Sequence, residues 1–584
     1  MKQHDKAAAL GSGQESRSGP EQFSAGPRKE SKAGSKLLKG AAVLGLASIV
    51  SKLLGTMQKI PLQNLAGDEA YGIYNAVYPL YNVILTLAVA GFPIAVSRFV
   101  AEKAAEGNWG EARRILRLTS LWLAGTGLLC CMGLYFGADL LAGLLGNSRT
   151  ALAIRSVSLA LLIVPLMSAL RGYFQGLEDM IPTAVSQVWE QLVRVVTMLG
   201  LLFLFLHMDD TVIAAGAMFG SVTGAAAGLG AMLYYWRREK RRRHSDRSVS
   251  ARLQAGAGVQ PESVKELASR FVPYALSVCL GLMAVPLLAL VDSFTIPRLL
   301  GAEGWTESAA LVEFGVYNRA QPLIQLVSLT ATSLAVALIP AIANAKASGR
   351  ADLIRRHSEA AVRFSWLIGL AAAVGLAVTA APMNVMFYQN TLGTDAMRIL
   401  ALTAWLSTVC VVSGSVLQGL GREKLPAVHL LLAAAMKLAL NVLLVPRYGI
   451  NGAAAAAVAA YAGACLLNLI QLRRAAGSRF PAGAYIWRPL LAAALLACGL
   501  AGLLWALGEA GAVWTPPERL YAIATSLLAV AAAVPLYFAG LLVSGAWTDR
   551  DWRALPGIAG RAARLPRRLR SWLRLDAADN RRKQ

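Results

Sequence analysis

Blocks of about 20 apolar residues recur along most of the 584-residue chain, and they constrain its fold more than any other feature. A helix of that length crosses roughly 30 Å of hydrocarbon. The composition agrees, because 56% of the residues are apolar and only 15% are charged, whereas a soluble domain carries about 25% charged residues. These values exclude a soluble enzyme, a disordered chain and a fibrous protein. The sequence therefore predicts an all-α polytopic membrane protein.

The apolar blocks predict fourteen transmembrane helices. Connections rich in Lys and Arg favour the cytoplasm. Basic residues are concentrated at every second connection, for example at 237–243 and at Arg473-Arg474. These connections are all cytoplasmic if both termini are cytoplasmic. That alternation supports the count, since one missed span would break it. The predicted spans are 38–58, 74–100, 117–137, 151–171, 183–206, 212–236, 268–294, 315–342, 362–387, 395–417, 426–445, 450–472, 487–508 and 519–545.

An internal repeat divides these spans. Tyr71-Gly72-Ile73-Tyr74-Asn75 recurs as Phe314-Gly315-Val316-Tyr317-Asn318, and Gln175-Gly176-Leu177 recurs as Gln418-Gly419-Leu420, both at a spacing of 243. Arg113-Arg114 recurs as Arg355-Arg356 at 242. Each repeat holds six spans, so both enter the membrane in the same direction. We expect two six-helix lobes related by a pseudo-two-fold axis along the membrane normal, with a cavity between them and one added helix pair.

The repeat and the charge runs together define the predicted domains. The predicted domains are a disordered cytoplasmic tail (1–35), an amino-terminal lobe (36–236), a basic cytoplasmic linker (237–266), a carboxyl-terminal lobe (267–474), the added spans thirteen and fourteen (475–548) and a basic cytoplasmic tail (549–584). In the last of these, Leu565, Leu569 and Trp572 share one helical face among arginines. That pattern fits an amphipathic helix on the anionic inner leaflet, and equally a frayed basic tail.

Ionisable side chains inside predicted spans are costly and mark candidate functional sites. Four basic residues, three of them (Lys52, Arg319 and Lys437) without an acidic neighbour in the sequence, are the predicted binding site for an anionic group such as a phosphate or pyrophosphate. These are Lys52, Arg98, Arg319 and Lys437. Snorkelling or local pairing is the alternative, and Arg98 and Lys59 lie close to span ends.

Three further charges are candidates for ion coupling or for counter-ions. Glu190 and Arg194 lie four residues apart on one helix face and are expected to pair. Asp292 is predicted either to carry a coupling proton or sodium ion, or to be the counter-ion of Arg319 or Lys52. The predicted partners are therefore ions and membrane lipids, with H⁺, Na⁺ or the membrane potential as the source of energy and no organic cofactor.

Other function classes find little support in the sequence. The six cysteines all lie in apolar blocks without a CxxC pair or a His-rich partner, so neither a metal site nor a disulfide framework is predicted. No Gly-rich phosphate loop precedes a Lys-Ser/Thr pair. The net charge of +24 is concentrated in loops and tails beside apolar spans, which favours a membrane surface over nucleic acid.

Five motifs resemble those of the polysaccharide-biosynthesis branch of the multidrug/oligosaccharidyl-lipid/polysaccharide exporter superfamily. Within that branch the sequence is most similar to the SpoVB/YtgP-type group, which is related to the MurJ lipid II flippases. The motifs are Ser51-Lys52-Leu53-Leu54-Gly55, Lys59-Ile60-Pro61-Leu62-Gln63-Asn64-Leu65-Ala66-Gly67, Gly91-Phe92-Pro93-Ile94-Ala95-Val96-Ser97-Arg98, Arg171-Gly172-Tyr173-Phe174-Gln175-Gly176 and Gln418-Gly419-Leu420-Gly421-Arg422.

The resemblance implies a flippase that moves an undecaprenyl-pyrophosphate-linked saccharide, such as lipid II, across the bacterial cytoplasmic membrane. It also implies that spans thirteen and fourteen line a groove for the lipid tail, and that Lys52, Arg98 and Arg319 face the pyrophosphate. Cell-wall synthesis proteins are the implied protein partners. The chain departs from the MurJ pattern after span one, where Gln58-Lys59 replaces an Arg-Asp pair, so the cargo stays open.

Three alternatives to a flippase remain open at this stage. One is a multidrug cation antiporter of the same superfamily, which would have an acidic cavity. The second is an enzyme acting on polyprenyl-linked sugars, which would need a large external loop. The third is a scaffold for wall or spore assembly.

Overall fold

The computed structural model describes residues 28–245, 263–514, 517–548 and 551, and within them the chain is helical without a β-strand. The first group of helices is α1 (Arg28–Met57), α2 (Lys59–Leu85), α3 (Phe92–Ala105), α4 (Trp109–Phe136), α5 (Ala138–Leu144), α6 (Ala151–Ser158), α7 (Ala160–Gly176), α8 (Ile181–Phe205) and α9 (Asp210–Ser245). We call residues 28–245 the amino half.

The carboxyl half, residues 263–476, contains the helices that correspond to the second repeat. They are α10 (Val264–Leu282), α11 (Ala284–Ala302), α12 (Glu307–Asn318), α13 (Gln321–Ala347), α14 (Ala351–Val378), α15 (Ala380–Tyr388), α16 (Thr394–Gly419) and α17 (Lys424–Ala476). An appended pair follows, α18 (Arg488–Trp514) and α19 (Glu518–Val543). Short π-helical turns at Thr86–Ala90 and Gly483–Trp487 precede α3 and α18.

Side-chain caps begin several helices after polar loops. Asn108 accepts a hydrogen bond from the backbone N–H of Glu111 at 3.1 Å at the start of α4. Ser263 does the same for Glu266 at α10, and Thr306 for Ala309 at α12, both at 3.2 Å. Each cap satisfies a backbone donor that the first helical turn leaves without a partner.

Two glycines turn the chain inside stretches that are otherwise helical. Gly67 has φ 80° and ψ −179° within α2, and Gly449 has φ 55° and ψ −137° within α17. Positive φ is accessible to glycine at little steric cost. Backbone hydrogen bonds join α1 to α2 through Gln58, so the first helical rod ends near Gly67, beyond the predicted end of span one at residue 58. Gly449 separates the predicted spans eleven and twelve.

Eleven stretches of the described residues are long and apolar enough to cross a membrane. One of them, residues 42–105, contains Gly67, and another, Lys424–Ala476, contains Gly449. Helices overlap all fourteen predicted ranges. The polytopic, all-helical prediction is confirmed, while the count of fourteen spans and the pseudo-two-fold axis stay predictions.

The molecule has an apolar exterior and a core that joins the two halves. Large side chains on the outside, such as Phe136 (74% exposed) and Trp505 (71%), fit a lipid environment. The largest buried cluster includes tyrosines from both halves, among them Tyr71, Tyr74 and Tyr317. The basic run after residue 237 continues α9 as a helix to Ser245. Residues 246–262 and the tail after 551 lie outside the described residues.

Candidate functional site: a cavity between the two halves

A polar cavity of about 870 Å³ lies between the amino and carboxyl halves. Its walls come from α1, α2, α7 and α8 on one side and from α10, α11, α13, α16 and α17 on the other. Five basic side chains and three carboxylates line it, which leaves a positive excess. The charged residues that line it are Lys52, Lys59, Arg171, Glu190, Arg194, Asp292, Glu423 and Lys437.

Three of these basic residues form what we call the amino-side cation cluster: Lys52, Lys59 and Arg194. Lys52 is exposed to the cavity. Lys59 is buried and donates to Asn75 Oδ1 at 3.2 Å. Among the described residues, no carboxylate lies within ion-pair distance of any of the three. The cluster therefore presents three basic side chains that form no ion pair with a carboxylate of the described residues.

Arg194 is held by neutral neighbours rather than by an acid. Its Nη2 donates to Ser221 Oγ at 2.7 Å. The guanidinium carbon lies 5.9 Å from the centre of the Tyr78 ring, close to the 5.7 Å that separates the same ring from Lys59 Nζ. Aromatic rings stabilise cations electrostatically without cancelling their charge. Arg194 Nε is buried without a hydrogen-bond partner.

The predicted pairing of Glu190 with Arg194 is wrong. Glu190 accepts a hydrogen bond from Arg171 Nη2 at 2.8 Å, and Arg171 also donates to Ser186 Oγ at 2.9 Å. Arg171 lies on α7, which packs beside α8. Although the i, i+4 spacing allows Glu190 to reach Arg194, the neighbouring helix supplies an arginine whose flat guanidinium reaches both Glu190 and Ser186.

On the carboxyl side, a buried ion pair borders the cavity. Lys437 Nζ lies 2.6 Å from Asp292 Oδ2, and both side chains are at most 6% exposed. Tyr317 donates to the same oxygen at 3.0 Å, and Asn441 Nδ2 donates to Oδ1 at 3.2 Å. Asp292 is thus the counter-ion of Lys437, not of Arg319 or Lys52, and the expectation that Lys437 lacks a carboxylate is wrong.

Arg319 is also paired, and it does not line the cavity. It donates from Nε to Asp68 Oδ1 at 3.0 Å and from Nη2 to Asp68 Oδ2 at 2.5 Å. Its Nη1 donates to Asn390 Oδ1 at 2.6 Å, and its side chain is 1% exposed. The expectation that it lacks a carboxylate is therefore wrong as well. Its sequence neighbours contain no acid on the same face, and Asp68 comes from the other half.

Arg98 lies away from the cavity. It is exposed on α3, and its guanidinium carbon stacks 4.7 Å from the centre of the Tyr274 ring on α10. The structure thus brings Lys52, Lys437, Asp292, Glu190 and Arg194 together around one cavity, and it places Arg98 and Arg319 outside the lining. Binding of a head group by any of these residues stays a prediction.

The two halves are in close contact at a helix crossing outside the cavity lining, and we call this contact the closed end. At the crossing of α2 and α12, a Cβ on Gly72 would lie 2.0 Å from the Leu311 carbonyl oxygen, and one on Gly315 would lie 2.1 Å from that of Asp68. Only glycine lets the two backbones come so close. Gly72 and Gly315 are equivalent positions of the 243-residue repeat, as are Asp68 and Leu311. The crossing therefore has the reciprocity of a two-fold contact.

Polar bonds surround this crossing and complete the closed end. Asn147 Nδ2 donates to the Glu307 carbonyl oxygen at 2.7 Å, and Ser148 Oγ donates to the Glu307 carboxylate at 2.6 Å. Ser308 donates to Glu69, which also pairs with Arg149 at 2.6 Å. Hydrogen bonds from Thr211 and the nearby charge of Arg149 lower the pKa of the exposed Asp209 carboxyl. The cavity reaches Gln418 and Glu423, which are exposed.

Sequence reasoning gave little weight to Lys59 and Arg171, and none to Asp68. The predicted span one stopped at residue 58, because Lys59, Gln63 and Asn64 lower the local hydropathy. In the structure the helix continues, and Lys59 and Gln63 are buried. The polar residues of this extension were the signal in the sequence that could have indicated a longer helix with a buried polar face. In the part of the chain that the structure describes, no group of three or more His, Cys, Asp or Glu side chains could hold a metal ion.

The sequence matches that of known membrane proteins over most of its length. Residues 37–346 match the family described as polysaccharide biosynthesis protein. The uncharacterized membrane protein YabM of Bacillus subtilis is 32% identical over 88% of this chain and 94% of its own length. Lipid II flippase MurJ of the same organism is 30% identical over 76% and 84% of the two chains. Its stage V sporulation protein B is 29% identical over 72% and 80%.

The fold is similar to solved structures of two kinds of transporter. The lipid II flippase MurJ in an inward closed conformation has a TM-score of 0.61 at 13% identity, covering 86% of this chain and 98% of that chain. A multidrug resistance MATE family transporter of the MOP superfamily, inward-facing, has a TM-score of 0.60 at 13% identity, covering 73% and 94%. At these identities the likeness shows a shared fold.

Proposed function

The chain belongs to the polysaccharide biosynthesis protein family, as a relative of MurJ and of stage V sporulation protein B, and on that premise we propose that it is a flippase for a lipid-linked saccharide. The cargo is an undecaprenyl-pyrophosphate-linked saccharide, lipid II or a related polysaccharide precursor. The protein moves it across the bacterial cytoplasmic membrane by alternating access. The relatives named above include a lipid II flippase and an uncharacterized membrane protein.

The amino-side cation cluster carries this proposal. Lys52, Lys59 and Arg194 line one wall of the cavity and have no carboxylate partner among the described residues. Charge-assisted hydrogen bonds from lysine and arginine are the strongest that proteins offer to phosphate oxygens. The polar residues Gln58 and Gln191 stand beside the cluster, with Gln191 Nε2 donating to Gln58 Oε1 at 3.4 Å. A head group with two phosphates and hydroxyl-rich sugars matches this wall in charge and in hydrogen bonding.

The proposed transport cycle uses the closed end as the outer gate. With both termini in the cytoplasm, the connection that carries Glu423 is cytoplasmic, so this conformation faces inward. The head group enters the cavity, the Gly72–Gly315 crossing opens, and the head group leaves outward while the polyprenyl tail stays in lipid. Two six-helix lobes with fourteen spans in all are part of this proposal. The membrane potential is its source of energy.

A multidrug cation antiporter is the second candidate, because MATE transporters share the fold. Cationic drugs call for unpaired carboxylates in the cavity. Here Glu190 pairs with Arg171, and Asp292 pairs with Lys437. Glu423 is the remaining carboxylate of the lining, at the exposed end. The charge of the cavity thus favours an anionic head group over a cation.

Proteoliposomes test the proposal directly. The purified full-length protein is reconstituted with fluorescent undecaprenyl-pyrophosphate-linked sugar, and the fraction reaching the opposite leaflet is measured by quenching. We expect flipping by the wild type. The variant Lys52→Met/Lys59→Met/Arg194→Met should lose at least about 100-fold in rate, since each lost charge-assisted bond is worth about 1.5–3 kcal/mol.

Arg98→Met is the matched control, because Arg98 is a basic residue of a predicted span that does not line the cavity. It should flip the lipid at a rate within a factor of two of the wild type. Equal losses in both variants, or export of ethidium in place of the lipid, would contradict the proposal. Size-exclusion profiles of both variants separate loss of binding from loss of folding.

A further inference from the structure

Asp292 sits in an oxygen-rich pocket of the carboxyl half that already contains a positive charge. Lys437 Nζ lies 2.6 Å from Asp292 Oδ2 and donates to the Leu288 carbonyl oxygen at 3.2 Å. Asn441 and Thr295 complete the pocket, with Asn441 Nδ2 donating to Thr295 Oγ1 at 2.8 Å. Asp292, Lys437 and Asn441 are all buried.

The oxygen atoms around the ammonium are those that a hard metal cation would use. They include a carboxylate and a main-chain carbonyl, which suit cations such as Na⁺, Mg²⁺ or Ca²⁺. Asn441 Oδ1 is buried without a hydrogen-bond partner. This orphaned acceptor is unusual, since most buried polar atoms are hydrogen-bonded.

We infer that Lys437 is a tethered cation that occupies this pocket permanently, so that the protein binds no free sodium ion at Asp292. Both carboxylate oxygens already accept hydrogen bonds, from Lys437 and Tyr317 on one side and from Asn441 on the other. A metal ion can bind Asp292 only by displacing the ammonium, which then loses its carboxylate and stays buried. A buried charge without a partner is strongly unfavourable, so the ammonium excludes the ion.

The pocket borders the cavity of the proposed flippase, and the consequence for coupling rests on that proposed function. Asp292 and Lys437 both line the cavity wall. Because Lys437 supplies the cation, the Asp292 pocket has the same charge in every step of a transport cycle. Transport is then independent of sodium, and no ion has to leave Asp292 before the empty carrier returns.

Sodium binding to the purified full-length protein tests the inference without any transport assay. The probe is ²²Na⁺ at pH 8, together with the thermal unfolding midpoint in about 100 mM NaCl or choline chloride. We expect no saturable binding by the wild type. Lys437→Met removes the ammonium and leaves the oxygen atoms, so it should bind sodium saturably and gain about 2 °C in sodium over choline.

Two further variants make the result specific to this pocket. Lys437→Met/Asp292→Asn has lost the carboxylate too, and it should bind no sodium. Lys52→Met, which removes a cavity lysine that has no carboxylate partner among the described residues, should also bind none. Saturable binding by the wild type that Asp292→Asn abolishes would overturn the inference, and so would a Lys437→Met protein that folds and binds no sodium.

The wild-type measurement keeps the inference falsifiable even if Lys437→Met does not fold. Failure of the proposed function looks different from failure of the inference. If the protein flips no lipid-linked sugar but shows the expected pattern of sodium binding, the tethered cation is supported and only the assigned cargo is wrong. A protein that flips the lipid only in sodium retains its function and refutes the tethered cation.

Discussion

Each half of the molecule has a basic side chain at an equivalent position of the repeat, but the two side chains have different partners. Arg194 on α8 and Lys437 on α17 are 243 residues apart, which is the spacing of the internal repeat. Both line the cavity. Lys437 is bound to Asp292, whereas the residue that corresponds to Asp292 in the amino half is Ile49. Arg194 instead donates a hydrogen bond to Ser221 and lies beside the Tyr78 ring, and it forms no ion pair within the described part of the chain.

This difference concentrates the unneutralised charge of the cavity on one wall. The carboxyl half holds a closed ion pair with further hydrogen bonds to Asp292, and its other charged lining residue is the acid Glu423, so this half adds no net positive charge to the cavity. The amino half adds Lys52 and Lys59 to Arg194 without adding a carboxylate for them. After duplication, one copy thus has the charge pattern of an anion-binding wall and the other that of a structural support.

We expect the largest loss of stability when the Lys437–Asp292 ion pair is broken. Lys437→Met leaves the Asp292 carboxylate buried without its counter-ion, and removing one partner of a buried pair lowers the free energy of unfolding by about 3–5 kcal/mol. Thermal unfolding in detergent without sodium, followed by size-exclusion fluorescence, measures the loss. Adding Asp292→Asn removes the stranded charge and should restore at least half of it. If the double variant is as unstable as the single one, packing rather than charge holds the pair in place.

How much of this site the sequence could predict depends on whether the partners are neighbours in the chain. Apolar block length placed the spans, because the membrane thickness dictates the length of a helix. It also identified Lys52, Asp292 and Lys437 as intramembrane charges. The pairing of Lys437 with Asp292 joins residues 145 positions apart, and the pairing of Arg319 with Asp68 joins residues 251 apart. No local pattern encodes such contacts.

The wrong prediction for Glu190 also shows that a local pattern cannot identify partners from other helices. Helical spacing correctly placed Glu190 and Arg194 on one face of α8, but it says nothing of competitors on neighbouring helices. Arg171 arrives from α7 and takes the carboxylate. Arg194 therefore forms no ion pair with Glu190, although the spacing within the helix would allow one.

We expect an intermediate loss of stability at the Gly72–Gly315 crossing, where the two halves make equivalent contacts. Gly72→Ala and Gly315→Ala each bring a methyl group to about 2 Å from a carbonyl oxygen of the partner helix, at 2.0 and 2.1 Å. Overpacking of this kind costs about 1–3 kcal/mol. Since the contacts are reciprocal, we expect equal losses in the two variants. Because the strain lies at this crossing, labelling of a cysteine placed beside it should rise in both variants.

Gly133→Ala on α4 is the matched control, because a Cβ at Gly133 meets nothing within 4 Å. It should leave both the unfolding midpoint and the labelling rate unchanged. If Gly72→Ala and Gly315→Ala differ by more than about 1 kcal/mol, the crossing is not a reciprocal contact between the repeats. The comparison of the halves would then lose its geometric basis.

The smallest effect on stability is expected at Arg194, although its position matches that of Lys437. Arg194→Met removes one hydrogen bond to Ser221 and one ring contact, and strands no carboxylate. Its cost in unfolding free energy is therefore about 1 kcal/mol. The loss should appear in anion binding instead. Pyrophosphate should raise the unfolding midpoint of the wild type and of Lys437→Met/Asp292→Asn, and have much less effect on Arg194→Met. A loss of stability as large as that of Lys437→Met would mean that Arg194 is a structural residue, and the anion-binding wall would have to be sought elsewhere.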